Sequence, residues 1–456
     1  MARDSSSLGT ESLGKLLLRL SLPAVTAQIV NLLYNVVDRI YIGHIPGIGS
    51  YALTGVGLCL PLIMIISAFA AICSQGGGPR ASIFLGAGDK ESAQRTMGSC
   101  LAFLLCISAI LTALSLAFSK PILMVFGASQ NTIAYSMDYM SIYALGTVFV
   151  QISLGMNAFI TAQGYARTSM LTVIIGAACN IVLDPILIFT LGMGVKGAAL
   201  ATIISQAVSA AWVLSFLASG KSELRLQRKI IVLERRFIKP VFALGLGPFI
   251  MQSTESLLNM SFNINLQRYG GDLAVGAMTI LSSVMQASSL PVIGIGQGAQ
   301  PILSYSYGSG NARRLEAGVH LLFRTNFIIA SAIWLWVQLF PSVFVSAFTA
   351  DASLAAFASK ALRVYMAVSL LMSIQQSIQQ TFVSIGFAKA SIAVALMRKF
   401  VLLIPLIFIL PSMLEDKTMA VYLAEPVSDT LSVTFATCLF IILFRKVLKR
   451  MKEGSS

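Results

Sequence analysis

Apolar residues fill this chain in long unbroken stretches. Residues 20–37, 51–79, 101–119, 139–166, 197–220, 273–312, 325–350 and 364–388 contain no Asp, Glu, Lys or Arg. Further apolar runs lie near 168–190, 240–266, 400–411 and 420–444. A helix needs about 20 mostly apolar residues to cross a bilayer. A membrane barrel instead needs strands that alternate polar and apolar over about 10 residues. The continuous runs predict helices, and the pattern predicts an all-α membrane protein with twelve spans. Asp4 and Glu11 precede the first run without a cleavage site after a short apolar core, so that run is expected to stay as a helix.

Composition supports the same solvent. The chain of 456 residues is 56% hydrophobic and 11% charged, where a soluble domain carries about 25% charged residues. The six cysteines fall in apolar runs without a C-x-x-C pair, which suits packing better than disulfides or metal. Two histidines leave little material for a His-based metal site.

The net charge of +14 changes the picture through its distribution. If both termini are cytoplasmic, 23 of the 32 Lys and Arg fall on the cytoplasmic side, against seven opposite. The basic stretch 219–239 and the C-terminal end dominate that count. This asymmetry follows the positive-inside rule and suits an anionic inner leaflet. The basic charge is therefore read as topology and lipid contact, with no nucleic-acid partner.

The chain repeats once. Gln75, Pro79, Gly86, Gly88, Tyr143 and Gly164 recur as Gln297, Pro301, Gly308, Gly310, Tyr365 and Gly386, each at an offset of 222. The offset covers six predicted helices, so the halves should share one orientation, as in parallel-repeat transporters. The expected organisation is a six-helix lobe over 1–218, a basic cytoplasmic linker over 219–239, a second six-helix lobe over 240–445 and a basic tail over 446–456. Pro23 and Pro248 open the first helix of each lobe and are candidates for flexing positions.

Polar groups inside the spans mark candidate chemistry, because charge in hydrocarbon is expensive. The first helix carries Gln28, Asn31, Tyr34, Asn35 and Asp38, mostly on one face. A bland alternative pairs Asp38 with Arg39 at the helix end. The fifth helix carries Asn180 and Asp184, four apart on one face. Burial penalises the charged form of such a carboxylate, which fits it to exchange a proton. Nearby oxygens could instead hold Na⁺, with Asn157, Thr161 and Thr202 as possible companions or as plain interhelical hydrogen-bonders. In the second half, Gln252, Glu255, Asn259 and Asn263 form a stripe on the seventh helix. Gln375, Gln376, Gln379 and Gln380 lie on the tenth, and Arg398 with Lys399 on the eleventh. A Glu255–Arg398 pair would be cheaper than either charge alone.

Two motifs are decoys. Residues 9–16 lack the Ser or Thr that a phosphate-binding loop places after its Lys, and no strand precedes them. Residues 192–197 match G-x-G-x-x-G but join two membrane helices. No nucleotide partner is expected and no ATPase cassette is present in the sequence, so the energy is expected to come from an ion gradient or a partner.

Tyr34 to Gly43, Asn180 to Pro185 and Gly298 to Ile302 resemble the MATE family (multidrug and toxic compound extrusion), in its bacterial DinF/MepA-like branch. The resemblance covers nearly the whole chain. It implies two six-helix lobes in a V and cation-coupled drug antiport in a bacterial cytoplasmic membrane. It carries an ion-coupling role to Asp38, Asn180 and Asp184, with Asn157 and Thr202 as weaker companions. Asp38, Asn180 and Asp184 would hold the metal only if Na⁺ drives transport. Some branches use a carboxylate pair on helices seven and ten. Glu255 fits the first of these, while helix ten here offers only glutamines. The expected substrate cavity draws on Gln28, Asn31, Tyr34, Asn35, Thr161, Gln252, Glu255, Asn259, Gln375, Gln379 and Arg398. Small organic substrates, lipid, H⁺ or Na⁺ and no other cofactor complete the expectation, in a monomer that is not an enzyme. The alternative within the superfamily is a flippase or exporter of a lipid-linked or anionic metabolite.

Overall fold

The computed structural model describes residues 7–349 and 351–453. Arg3, Asp4, Ala350 and the last three residues of the basic end lie outside them. The described residues contain no strand. Nine helices are long and apolar enough to span a membrane, and one of these, 235–308, contains two spans. Two bent helix pairs supply one span each. The count among the described residues is twelve, as the apolar runs predict.

The first six are α1 (Leu13–Gly43), α2 (Gly49–Gly86), α3 (Lys90–Val125), α4 (Ile133–Leu145 with Thr147–Ala162), α5 (Ala166–Thr190) and α6 (Val195–Ala218). After the linker come α7 (235–270), α8 (272–308) and α9 (Ala312–Leu339). They are followed by α10 (Ala352–Tyr365 with Ser369–Ser384), α11 (Ala388–Met413) and α12 (Lys417–Glu453). Gly271 separates α7 from α8. Its φ of 62° lies in the left-handed region, where a residue without Cβ meets no steric penalty.

The repeat is visible in local geometry. α4 bends by 58° at its break and α10 by 46° at the corresponding place. Asp89 and Asn311, 222 apart, cap α3 and α9 by accepting from the backbone N–H of Ser92 and Arg314, each at 2.9 Å. Two boundaries differ from the sequence reading. The basic end continues α12 as helix to Glu453, because nothing in 446–453 breaks it. α7 begins at Arg235, inside the predicted linker. The remaining linker is pinned to the first lobe, with Gln163 Oε1 accepting from Leu224 N at 2.9 Å and Ser222 Oγ at 3.1 Å.

The lobes meet along a seam on the side of the membrane that carries the linker. α1 crosses α8 through Ser21, Val25 and Gln28, and α2 crosses α7 through Ile72 and Gly76. The two crossings are pseudo-equivalent. A Cβ on Gly298 would lie 2.6 Å from Ser21 Cα, and a Cβ on Gly76 would lie 2.2 Å from Val241 O. Backbones this close admit no side chain, which explains why those repeat positions are glycines. Glutamines add polar ties, Gln28 to Gln297 at 3.1 Å and Gln75 to Gln300 at 3.2 Å. Beyond the seam, α1 exposes Asn31 and Asn35, and α7 exposes Asn259 and Asn263.

Candidate functional site: an acid pair and a buried ion network

α1 packs along α5, and this brings Asp38 to Asp184. The two carboxyl groups lie within hydrogen-bonding reach of each other. Asp184 is completely buried and Asp38 is half-buried. Asn180 Nδ2 donates to Asp184 Oδ1 at 3.3 Å. The i, i+4 spacing on α5 makes this contact possible. Among the described residues Asp38 forms no ion pair with Arg39, so the bland pairing at the helix end is not what is built.

Three oxygens at this spot, Asp38 Oδ1, Asn180 Oδ1 and Asp184 Oδ2, are buried without a hydrogen-bond partner. Buried polar atoms are nearly always partnered, so orphans call for an explanation. Two adjacent carboxyl groups also cannot both be ionised without a compensating cation. The donor set is oxygen only, which fits a proton or a hard cation such as Na⁺.

Tyr34 on α1 and Tyr139 on α4 lie beside the pair, and Tyr143, one turn on from Tyr139, faces Tyr34. Tyr139 and Tyr143 stack with ring centroids 6.1 Å apart. Thr202 hydrogen-bonds with Tyr139 and donates to Ala198 O at 3.0 Å. Neither Tyr139 nor Tyr143 stands out in the sequence as part of this site. Their i, i+4 spacing on an apolar helix was the available signal.

Other residues are placed elsewhere. Asn157 donates to Ser169 O at 3.2 Å and accepts from Thr172 at 3.0 Å. Thr161 donates to Ser169 Oγ at 2.9 Å. These contacts lie at the start of α5, about 18–22 Å along the helix from Asp184 at about 1.5 Å per residue. The structure therefore does not bring Asn157 or Thr161 to the acids. Gln375 accepts from Ser432 at 2.8 Å, and Gln379 donates to Ser391 at 2.7 Å. Both are buried and tie α10 to its own lobe. Gln252 is partly exposed on α7.

The second lobe carries no copy of the acid pair, since the positions offset from Asp38 and Asp184 are Met260 and Leu406. It holds a different network. Arg398 donates to Glu425 at 2.7 Å and to Asp429 at 3.0 Å, while Lys399 donates to Glu255 at 2.5 Å. The expected Glu255–Arg398 pair is thus corrected. Arg398 turns into the α11–α12 interface, and its neighbour reaches Glu255. Sequence reading passed over Glu425 and Asp429 inside the run 420–444. Their i, i+4 spacing would have placed both on one face.

This architecture, twelve spans in two pseudo-equivalent lobes with an acid pair inside one lobe, defines a multi-pass membrane protein of the transporter class. The MatE family model matches residues 23–186 and 248–409, one segment in each lobe. The chain belongs to the MATE family. The Multidrug export protein MepA of Staphylococcus haemolyticus (strain JCSC1435) is 26% identical over 402 residues, 88% of each chain. That of Staphylococcus aureus (strain bovine RF122 / ET3-1) is 24% identical over 396 residues, 87% of each. Among solved structures, a MATE in the bent conformation superposes with a TM-score of 0.92 at 23% identity, covering 99% of both chains. An outward-facing multidrug resistance MATE family transporter of the MOP superfamily gives 0.91 at 23%, covering 98% of this chain and 99% of that one.

Proposed function

We propose that the protein is a cation-coupled antiporter that exports amphipathic, often cationic organic compounds across the bacterial cytoplasmic membrane. The termini and linker face the cytoplasm, so the closed seam is cytoplasmic and the cleft opens outward. The polar faces of α1 and α7 beyond the seam then line a water-filled cleft, since the same side chains in lipid would be costly. The relatives named for multidrug export support the substrate class. The carrying observation is the set of three orphaned buried oxygens on Asp38, Asn180 and Asp184.

The coupling follows from charge. A proton or Na⁺ arriving from outside settles on the acid pair, with Asp38 as the half-exposed member and Asp184 as the buried one. That removes the negative charge that favours a cationic substrate, and the substrate leaves. After the lobes reverse, loss of the ion to the cytoplasm restores the charge and the next substrate binds. An ion drives this only through different affinities for the two states.

The test is efflux of a fluorescent organic cation from proteoliposomes under separately imposed proton and sodium gradients. Wild type should transport under one or both gradients, and Asp184→Asn under neither. Gradient-driven transport by Asp184→Asn at the wild-type rate would remove the mechanism.

A further inference from the structure

A short segment ahead of α1 lies across the seam on its linker side. Ser7–Thr10 form one helical turn, and the chain enters α1 at Leu13. Two ties fold this segment back on α1. Glu11 pairs with Arg19, and Arg19 donates to Ser7 Oγ at 3.3 Å. The second lobe grips the same segment. Arg314, at the start of α9, donates to Leu8 O at 2.8 and 3.0 Å and to Glu11 O at 2.7 Å. Carbonyls at the end of a helical turn lack partners within it, and a guanidinium fork satisfies two of them at once. Leu8 itself is fully buried, in an apolar cluster that joins Leu16, Leu20 and Ala166 of the first lobe to Leu303, Leu315 and Ile385 of the second.

The repeat shows what the segment adds. α2 and α8 cross at Gly86 and Gly308, where an added Cβ would run into Tyr305 O and Ile83 O. Beside this crossing, Ile83 of α2 reaches the second lobe's loop, its Cδ1 3.8 Å from a Cβ built on Gly386. The repeat counterparts of Ile83 and Gly386 are Tyr305 and Gly164. There the segment is inserted between the two lobes. Leu8 Cδ2 lies 3.5 Å from a Cβ built on Gly164, and a Cβ on Gly9 would lie 2.9 Å from the Tyr305 ring. Arg314 has no basic counterpart, since Ser92 stands at its repeat position.

We propose that residues 7–11 are a strap that holds the linker-side seam closed, anchored on α1 by Arg19 and hooked on the second lobe by Arg314. Parting the lobes draws α1 away from α9, so the Arg314 bonds break and Leu8 leaves its cluster. Contacts made in only one of two states bias the balance between them. The inference goes beyond the exporter reading. It rests only on the two lobes alternating, and it holds for any substrate and any coupling ion.

The test is the rate at which a water-soluble maleimide modifies Ser21→Cys in the purified full-length protein. Ser21 is 5% exposed and packs on Gly298 within the seam. With dilute reagent the rate follows the fraction of molecules whose seam is open. The exposed Cys106 and Cys438 are replaced by Ser, and the protein without Ser21→Cys gives the blank. Leu8→Asp and Arg314→Met should each raise the rate roughly tenfold, as expected for unburying one leucine or losing charge-assisted hydrogen bonds. Leu8→Met, close in volume, should keep the wild-type rate. Cys73 and Cys100, fully buried inside the first lobe, should stay unreactive throughout. Wild-type rates in Leu8→Asp and Arg314→Met overturn the strap, as does a gain accompanied by reaction at Cys73 or Cys100, which marks a loosened lobe. If Leu8→Asp does not fold, the part-exposed Arg314→Met decides alone. Gly298→Val separates the two levels of failure. A gain in Gly298→Val without one in the strap variants removes the strap only, and no gain in any of them removes the alternation of the lobes as well.

Discussion

A carboxylate surrounded by apolar sequence advertises itself, because hydrocarbon makes its charge expensive. That is why Asp38 and Asp184 were legible in the sequence, and Asn180 through its place four residues before Asp184. Partner choice was less so. Arg398 and Lys399 are equivalent as charges in a sequence, and only the local helix geometry decides which one meets Glu255. The tyrosines around the acid pair were also hidden, since Tyr in an apolar helix reads as packing. Asn157 was misplaced for a simpler reason. Polar spacing within helices says nothing about which turn of a neighbouring helix it meets. At this scale the ion network makes a stability prediction. Arg398→Met leaves Glu425 and Asp429 buried without their cation, which should cost about 3–5 kcal/mol. Thermal unfolding of the purified protein should show a clear drop, and an unchanged midpoint would mean that the pair contributes little.

The helices themselves were well marked by their apolar runs, because lipid selects length and hydrophobicity together. Their interruptions were not. α7 breaks at Thr254, six residues beyond Pro248, and π segments occur at Ile72–Gly77, Ile186–Thr190 and Met397–Leu403. Such shifts follow from packing and leave no periodic signature. The helix starts are more transparent. Asp89 caps α3 as Asn311 caps α9, although only the first is charged. Hydrogen bonds from Ser92 hold the Asp89 carboxyl below the usual carboxylate range, but the Asn at the equivalent cap shows that charge is dispensable. Asp89→Asn should therefore be nearly neutral, and Asp89→Ala should cost about 1 kcal/mol. Thermal unfolding of the two variants side by side checks this, with equal losses as the contrary result.

Across the whole molecule, the repeat offset made the architecture legible in the sequence. Six helices per repeat fix parallel halves, and the glycines that recur mark the seam. Which half carries the acid pair was not fixed by symmetry, because Met260 and Leu406 stand where acids would complete a second copy. The seam makes its own prediction. Gly298→Val should clash with Ser21 and weaken the closed seam. Spin labels at His44 and Leu273, near the far ends of α1 and α8, should then move closer together in distance measurements. An unchanged distance distribution would show that the seam does not govern the balance between states.

The proposed antiport requires that the coupling ion and the organic cation exclude each other through the acid pair. Equilibrium binding of a fluorescent cation to purified protein, across a range of pH and Na⁺ concentration, measures this directly. The predicted result is affinity that falls as H⁺ or Na⁺ rises, and a flat response in Asp184→Asn. A wild-type affinity indifferent to both ions would contradict it.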